Sequence, residues 1–447
     1  MIVMKFGGTS VESAEAIQRV MEIVKSRLDR KPIVVVSAMG KTTNKLLAIA
    51  QQAITGHRDR ALSDLFELRD FHLRESGMER TVDQHFQELA ELTKGLSILG
   101  ELSPRSIDAI SSFGERLSSL IVTNYFQHHG VSAIHVDSRK VIVTDTRHTH
   151  ANPLYAETYA HLAQTIPPLA KEHVVVMGGF ISATVEGVTT TLGRGGSDFT
   201  ASIVGAGVNA EEIQIWTDVD GMLTCDPTVC PTARRVRAIS FAEAAELAYF
   251  GAKVLHPATV LPAVEKNIPV LILNSRRPHV EGTRITAHSV PGKNIVKSIA
   301  CKNKVTVLNI RSTRMFLVHG FLRRIFDVFD RYETSVDMVS TSEVSVSMTL
   351  DETAKLPAIL KELREFAEVA VDHNQSIICM VGEKIPVTAG IGARVFKALG
   401  PINVRMVSQG ASSMNFGFIV DSKDLTQAIL SLHEEFFTDL DPEVFAA

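Results

Sequence analysis

The sequence predicts an α/β fold, in which an open, mostly parallel sheet with helices on both faces is followed by two smaller α+β modules. Over residues 1–295, almost continuously apolar runs alternate with helical stretches, which is typical of strands buried on both faces. Beyond residue 295 the elements become shorter, and a five-residue segment recurs together with its surroundings. These observations predict three parts, at 1–295, 296–375 and 376–447, the last including a C-terminal tail.

The strands of the first part are predicted from short apolar runs, which lie at 2–4, 33–36, 131–136, 174–177, 213–216 and 268–273. Between the first two runs, residues 15–28 carry their apolar side chains on one helical stripe. Residues 59–101 lack strand signals and are rich in Leu, Glu, Arg and Gln. We therefore expect a helical insertion of about 59–101 at the edge of the sheet.

An internal repeat predicts the two modules of the C-terminal part. Val336–Ser340 (VDMVS) recurs as Val404–Ser408 (VRMVS), and the order of predicted strands and helices around the two segments is the same. Units of roughly 60–70 residues bury little surface alone, so we expect the modules to pack on each other or on another subunit.

Composition excludes several classes of protein. A chain of 447 residues with 45% hydrophobic residues is long enough for two or three domains with large cores. A net charge of −4 predicts no nucleic-acid or anionic-membrane partner, and no apolar run reaches the ~20 residues of a membrane span. The chain begins directly with a strand, which predicts no signal peptide. Its four cysteines form no CxxC pair; Cys225 and Cys230 could bridge, but free thiols in a cytoplasmic protein are the favoured interpretation.

Two glycine-rich loops indicate phosphoryl chemistry. The first, Lys5–Ser10 (KFGGTS), lies between a short strand and a helix, where backbone N–H groups can converge on a phosphate and Lys5 adds a positive charge. The second, Thr191–Asp198 (TLGRGGSD), repeats this arrangement around Arg194. Asp198 begins an apolar helix, and we expect it to cap that helix, to orient Lys5, or to do both.

Two further acidic positions are candidates for the same site. Glu115 follows Gly114 and opens a helix, where it is either a first-turn acid favoured by the helix dipole or a binding residue. Thr217-Asp218 closes a predicted strand, and ligands of open α/β sheets bind at the carboxyl ends of strands. A nucleotide contact and a simple Asx turn are both open at that position.

These motifs resemble those of the aspartokinase family, in particular its monofunctional members with two C-terminal ACT domains. The matching segments are 5–11 (KFGGTSV), 36–40 (VSAMG), 113–115 (FGE), 189–198 (TTTLGRGGSD), 216–221 (WTDVDG) and 250–257 (FGAKVLHP). The resemblance runs nearly from end to end. It implies an amino-acid-kinase fold followed by two ferredoxin-like ACT modules. It also implies transfer of the γ-phosphate of ATP, bound with Mg²⁺, to the β-carboxylate of L-aspartate, as the first step of lysine, threonine and methionine biosynthesis.

The resemblance also implies roles for individual residues. Lys5 would stabilise the transferring phosphoryl group and Asp198 would hold Lys5, whereas Arg194 would bind the α-carboxylate of aspartate and Glu115 its α-ammonium. The other implied aspartate contacts are Ser37, Thr43, Gly195, Gly196 and Ser197. The implied nucleotide contacts are Lys5, Gly7, Gly8, Ser10, Thr217, Asp218, Leu223, Lys253 and Val254. Leu223 stands where a tyrosine often packs on the nucleotide, Thr228 stands where an arginine often follows Asp-Pro, and protein ligands of the metal are not assigned.

This reaction requires little acid–base chemistry. The attacking carboxylate is already ionised at pH 7, so no general base is needed, and the sequence contains no histidine in a metal-binding or nucleophile-activating motif. The difficulty is to bring anions together, for which cationic side chains and Mg²⁺ are suited.

Feedback inhibition is the expected role of the C-terminal modules. In lysine-sensitive relatives the effector lies between ACT domains of two subunits, which implies an L-lysine effector and a homodimer or dimer of dimers here. Asp337 would pair with the effector's side-chain ammonium, and Arg405 replaces it in the second repeat. Leu317 and Val318 replace a histidine and a serine of some lysine-inhibited members. The implied effector residues are Met315, Gly320, Phe321, Leu322, Ser335, Val336, Asp337, Ser342 and Glu343.

Two other interpretations remain open at this point. A glutamate or acetylglutamate kinase would share the fold, but would not be expected to carry both the KFGGTS opening and two C-terminal modules. A catalytically inactive amino-acid sensor with ACT domains would keep the modules and lose the chemistry, and the intact Lys5, Glu115, Arg194 and Asp198 argue against it.

Overall fold

The computed structural model describes residues 1–251, 257–288, 292–311 and 320–446. The chain forms two compact units. The first comprises Met1–Met222 and Val254–His288, and the second comprises Leu223–Lys253 and Ser289–Ala447. The division at 1–295, 296–375 and 376–447 stays a prediction.

Strands and helices are numbered separately along the chain. The strands are β1 Ile2–Phe6, β2 Pro32–Val36, β3 Ala133–Val136, β4 Val143–Thr144, β5 Val174–Gly178, β6 Ile181–Thr184, β7 Thr189–Thr191, β8 Glu212–Thr217, β9 Ala238–Ser240, β10 Val270–Asn274, β11 Thr283–Thr286, β12 Ser298–Arg311, β13 Val339–Thr341, β14 Ser345–Leu350, β15 Glu368–Val381, β16 Met406–Gln409 and β17 Asn415–Asp421. The helices are α1 Ala14–Lys25, α2 Thr42–Ile54, α3 Arg58–Ser76, α4 Glu79–Leu99, α5 Pro104–Ser111, α6 Phe113–His128, α7 Tyr155–Leu169, α8 Gly196–Gly207, α9 Phe241–Tyr249, α10 Leu261–Glu265, α11 Phe321–Arg331, α12 Leu356–Leu363, α13 Ile391–Leu399 and α14 Leu425–Phe437.

The main sheet of the first unit has the strand order β3-β5-β2-β1-β8-β10-β11. The first six strands pair in parallel, and β11 pairs antiparallel with β10. The prediction of a mostly parallel sheet is therefore confirmed. β1 lies at its centre, between β2 and β8, so the carboxyl ends of these three strands meet at one edge. A small second sheet, β4-β6-β7, belongs to the same unit.

The apolar runs that predicted strands are buried because helices cover the sheet. All five residues of β1, of β2 and of β5 are buried. Each fully buried Val or Ile contributes about 1.5–3 kcal/mol relative to an exposed one, which explains why such runs form central strands. The side chains of α1, α2 and α6 join the same core through Val20, Leu46 and Ile121. Within 59–101 the structure has the long helices α3 and α4.

The second unit contains an antiparallel sheet in the order β13-β14-β12-β15-β17-β16. The chain passes twice through the order strand, helix, strand, strand, helix: first β12, α11, β13, β14 and α12, then β15, α13, β16, β17 and α14. The predicted repeat of α+β modules is therefore present. A backbone hydrogen bond is also repeated in the two modules. Asp337 N–H donates to Thr349 O in the first module, and Arg405 N–H, at the matching position of the second, donates to Ile419 O.

Across the described residues, none of the helices combines the length and the apolar character that crossing a lipid bilayer requires.

Candidate active site

A cavity of about 250 Å³ lies in the first unit, at the edge where the parallel strands end. Lys5 reaches it from β1, and Ser37 follows the last residue of β2. Glu115 stands in the first turn of α6, and Asp198 in the first turn of α8. The lining residues are Lys5, Ser37, Thr43, Glu115, Phe180, Gly193, Gly195, Gly196, Ser197 and Asp198.

Lys5 and Asp198 form an ion pair inside this cavity. Lys5 Nζ lies 2.7 Å from Asp198 Oδ1, and the two side chains are 11% and 15% exposed. The expectation that Asp198 caps α8 is wrong: the N-cap residue is Gly195, with φ 70°, and Asp198 lies inside the first helical turn. From there its carboxylate points to Lys5 and fixes the position of the ammonium group.

Glu115 is a buried carboxyl group with one unsatisfied oxygen. Its Oε1 accepts a hydrogen bond from Ala38 N–H at 3.1 Å, whereas its Oε2 has no hydrogen-bond partner among the described residues. Burial raises the pKa of Glu115 to about 8, although the Ala38 hydrogen bond and the charge of Lys5 act in the opposite direction. A buried acceptor without a partner is costly, so the site is suited to a ligand that brings a cationic donor to Oε2.

Glycines allow the loops around the cavity to approach closely. A Cβ on Gly8 would lie 2.7 Å from Gly40 O and 2.9 Å from Ala38 O, so a side chain there would push the two loops apart. A Cβ on Gly179 would lie 2.6 Å from the Cβ of Ser197, which lines the cavity. The first glycine pair thus brings the β1–α1 loop against the β2–α2 loop.

Eight of the sequence-predicted residues line the cavity together: Lys5, Ser37, Thr43, Glu115, Gly195, Gly196, Ser197 and Asp198. Arg194 is not among the lining residues, and its side chain is exposed. Phe180 and Gly193 also line the cavity and were not predicted. Phe180 could have been predicted, because it follows the Gly178-Gly179 pair at the carboxyl end of a buried strand, and ligands of open α/β sheets bind at such ends.

The other predicted nucleotide residues of the first unit lie around the ends of β1 and β8. Gly7 N–H donates to Trp216 O at 3.2 Å, and Ser10 Oγ lies 2.8 Å from Ser275 Oγ. Ser275 N–H donates in turn to Thr217 O at 2.8 Å. These bonds tie the first glycine loop to the end of β8, where Asp218 is exposed. Ser275 was not predicted, since nothing in the linear sequence connects it to residue 10.

Three predicted nucleotide positions are not among the described residues of the first unit. Leu223 belongs to the second unit, where its carbonyl accepts a hydrogen bond from Ser298 Oγ at 2.7 Å. Lys253 and Val254 lie outside the described residues.

Most of the predicted effector residues lie in the first α+β module. Gly320 is the N-cap of α11, with Phe321 and Leu322 as the first helical residues. Ser335, Ser342 and Glu343 are exposed, and Val336 packs against the module core. Met315 lies outside the described residues, as do Leu317 and Val318.

Asp337 is already engaged by a cation of the chain. Lys302 Nζ lies 2.8 Å from Asp337 Oδ1, and the Asp337 side chain is only 5% exposed. Tyr249 OH donates to the same oxygen at 3.4 Å, and the Lys302 ammonium also lies over the Tyr249 ring, 5.1 Å from its centroid. Asp337 Oδ2 is buried and has no hydrogen-bond partner in the described part of the chain. One carboxylate oxygen is thus occupied, while the other can accept a further donor.

Comparison with known proteins identifies two kinds of domain. Residues 1–274 match the amino acid kinase family, and residues 378–436 match an ACT domain. Aspartokinase 2, chloroplastic, of Arabidopsis thaliana is 41% identical over 463 residues, which cover 98% of this chain and 85% of that protein. Lysine-sensitive aspartokinase 3 of Escherichia coli K12 is 36% identical over 449 residues, with coverages of 98% and 99%.

Solved structures of an aspartokinase are also similar to this chain. Escherichia coli aspartokinase III in complex with aspartate and ADP, in the R-state, matches with a TM-score of 0.84 at 35% identity. The match covers 98% of this chain and 100% of that one. The same enzyme in complex with lysine and aspartate, in the T-state, also matches with a TM-score of 0.84 at 35% identity, over 98% and 99% of the chains. The likeness therefore extends over nearly the whole length, in sequence and in fold.

Proposed function

The chain belongs to the aspartokinase family, and on that premise we propose how it transfers the γ-phosphate of ATP to the β-carboxylate of L-aspartate. The enzyme is an aspartate kinase whose product is 4-phospho-L-aspartate. The observation that carries the proposal is the cavity that combines the Lys5–Asp198 ion pair with the buried carboxyl group of Glu115.

Lys5 is the residue proposed to act on the transferring group. Negative charge on the phosphoryl oxygens attracts the ammonium of Lys5, which Asp198 already holds in place, so little reorganisation is needed during the reaction. Residues 195–198, at the start of α8, also line this cavity, and the N-terminus of a helix carries partial positive charge.

Glu115 is proposed to bind the α-ammonium of aspartate. Its unsatisfied Oε2 would accept that group, and the positive charge would stabilise the ionised carboxylate. Ser37, Thr43 and Ser197 line the same cavity and offer hydroxyl groups to the substrate carboxylates. Arg194 is exposed in the described structure, so a contact with the α-carboxylate requires its flexible side chain to turn inward.

Mg²⁺ is the proposed metal, carried in with the nucleotide. Of the two cavity carboxylates, Asp198 fits an oxygen-coordinated cation better, because Glu115 would be occupied by the α-ammonium of aspartate. When bound, the ion would neutralise charge on the phosphate oxygens.

Product formation with matched substrates tests the proposal. ADP release should depend on L-aspartate, and L-glutamate or N-acetyl-L-glutamate should not replace it. Lys5→Met should lower turnover by on the order of 10²–10³-fold while leaving the fold intact. A parent enzyme that releases no ADP with aspartate would support the alternative of an inactive sensor.

L-lysine is the proposed feedback effector, acting through the first α+β module. The Escherichia coli relative is named lysine-sensitive, and its T-state complex contains lysine. In this chain the free Oδ2 of Asp337 is a suitable partner for an effector ammonium, next to the Lys302 ammonium on Oδ1. Inhibition by millimolar L-lysine that is lost in Asp337→Asn would support this assignment.

The proposed assembly is a homodimer or dimer of dimers through the ACT modules. Strand β13 lies at the edge of its sheet with all three residues exposed, and such an edge can pair with a second chain. The proposed location is the cytoplasm, which is supported by four free cysteines, as expected in a reducing compartment.

A further inference from the structure

Two cysteines and a histidine come together in the second unit, among residues that the proposed reaction does not use. The potential ligand atoms of Cys225, Cys230 and His433 all lie within 4.8 Å of one another. Their side chains are buried, at 4%, 1% and 6% exposure. Both thiols are free.

The local structure holds these groups in place. The turn between the cysteines is closed by Cys230 N–H donating to Asp226 O at 2.9 Å and by Thr228 N–H donating to Asp226 Oδ1 at 2.8 Å. His433 lies on α14, and its Nε2 lies 2.8 Å from the Oγ1 of Thr224. Thr224 is the residue before Cys225. This contact fixes the orientation of the ring, as partners of metal-binding histidines commonly do.

The loop is also joined to the sheet of the second unit. Ile299 N–H, on β12, donates to Thr224 O at 2.7 Å, and Arg234 N–H donates to Thr224 Oγ1 at 2.9 Å. The cysteines therefore lie on a loop bonded at its base, and little backbone movement is needed to bring three donors onto one ion.

We propose that Cys225, Cys230 and His433 form a binding site for a thiophilic divalent cation, with Zn²⁺ as the main candidate. Two sulfurs and one imidazole nitrogen are a donor set that zinc prefers, with metal–sulfur distances of about 2.3 Å, and water would take the fourth tetrahedral position.

Metal binding at this site involves no redox change. Each thiol loses its proton to solvent as its sulfur bonds to the metal, so two protons leave for each ion bound. The ion would link the loop of residues 223–230 to α14 and so stabilise the second unit.

Cobalt titration of the full-length, reduced and metal-free protein tests the site. Co²⁺ should bind at one ion per chain, giving thiolate-to-cobalt charge-transfer absorption and the visible bands of tetrahedral coordination, and Zn²⁺ should displace it. Cys230→Ser and His433→Asn should each weaken binding by on the order of 100-fold. Cys379→Ser should leave the affinity for Co²⁺ unchanged, because Cys379 lies on β15 and is not part of the cluster.

Absence of the charge-transfer band in the parent protein would overturn the proposal, and so would a band that survives in both variants. Mild oxidation that joins Cys225 to Cys230, in a protein that binds no Co²⁺ when reduced, would identify a redox pair instead. Kinase activity is not used as the readout, so a failed metal test and a failed aspartate kinase assay remain distinguishable. If Cys230→Ser does not fold, His433→Asn and the titration of the parent protein still decide the question.

Discussion

Lys5 Nζ on the central strand lies 2.7 Å from Asp198 Oδ1 on the first turn of α8. The two residues are far apart in the sequence, and the pairing of β1 with β2 and β8 brings the end of β1 to the cavity. A largely buried lysine paired with one carboxylate keeps a fixed ammonium group ready for an anionic ligand. This relationship is the structural basis of the proposed phosphoryl transfer.

Lys5→Met should lower kcat by on the order of 10²–10³-fold, since it removes a fixed cation from the developing charge. Steady-state kinetics at saturating ATP and aspartate measures the effect. Lys25→Met is the matched control, because Lys25 ends α1 in an exposed i,i+3 pair with Glu22, and its kcat should be unchanged. Near-normal turnover in Lys5→Met would exclude Lys5 from the mechanism.

Ionisation of Glu115 should make aspartate binding and turnover depend on pH. Its pKa of about 8 means that the free enzyme holds it mostly protonated below pH 8, whereas binding of an ammonium group requires the ionised form. The value of kcat/KM for aspartate should therefore rise about tenfold per pH unit toward pH 8 and then level off. Bound aspartate favours the ionised carboxylate of Glu115. The rise of kcat with pH, its acidic limb, should therefore lie at lower pH than the rise of kcat/KM.

Glu115→Gln should abolish this limb and raise the KM for aspartate much more than that for ATP. The pH profiles of the parent and of the variant, measured side by side, provide the check. An unchanged profile in the variant would assign the titration to another group.

Gly8→Ala should destabilise the first unit by about 1–3 kcal/mol and weaken ATP binding, because its Cβ would meet the carbonyl oxygens of Gly40 and Ala38. Denaturant unfolding and the KM for ATP measure the two effects. Gly95→Ala is the matched control: it lies within α4 with nothing within 4 Å of the added Cβ, so about 0.5–1 kcal/mol of stabilisation is expected. Equal effects of the two substitutions would contradict the close packing of the loops.

Lys302→Met should strengthen inhibition by L-lysine, lowering the half-inhibitory concentration by roughly fivefold. It removes a positive charge that now occupies Asp337 and repels the effector ammonium. Asp337→Asn should have the opposite effect. Asp351→Asn is the control, since Asp351 also contacts Lys302 but is 56% exposed, and it should change inhibition little. Weaker inhibition in Lys302→Met would mean that Lys302 helps to build the effector site.

The fold was predictable wherever a local pattern determined the structure. Apolar runs such as 33–36 and 213–216 became central strands, because a sheet covered on both faces requires continuous apolar side chains. The repeat of VDMVS as VRMVS likewise revealed two modules of equal architecture.

Contacts between distant residues could not be predicted in this way. The ion pair of Lys302 with Asp337 and the approach of His433 to Cys225 depend on tertiary packing, which no local spacing encodes. The predicted N-cap of α8 was wrong for a different reason. Asp198 belongs to a residue type that favours the N-cap position, but the helix already begins at Gly196, after Gly195 with its positive φ.

Trapping of an acyl phosphate with hydroxylamine, in the presence of Mg-ATP and L-aspartate, tests the proposed phosphoryl transfer at its product. An aspartate hydroxamate should form with the parent enzyme, and on the order of 10²–10³-fold more slowly with folded Lys5→Met protein. Hydroxamate formed at equal rates by both proteins would contradict the role of the Lys5–Asp198 pair, and none from the parent would contradict the proposed reaction.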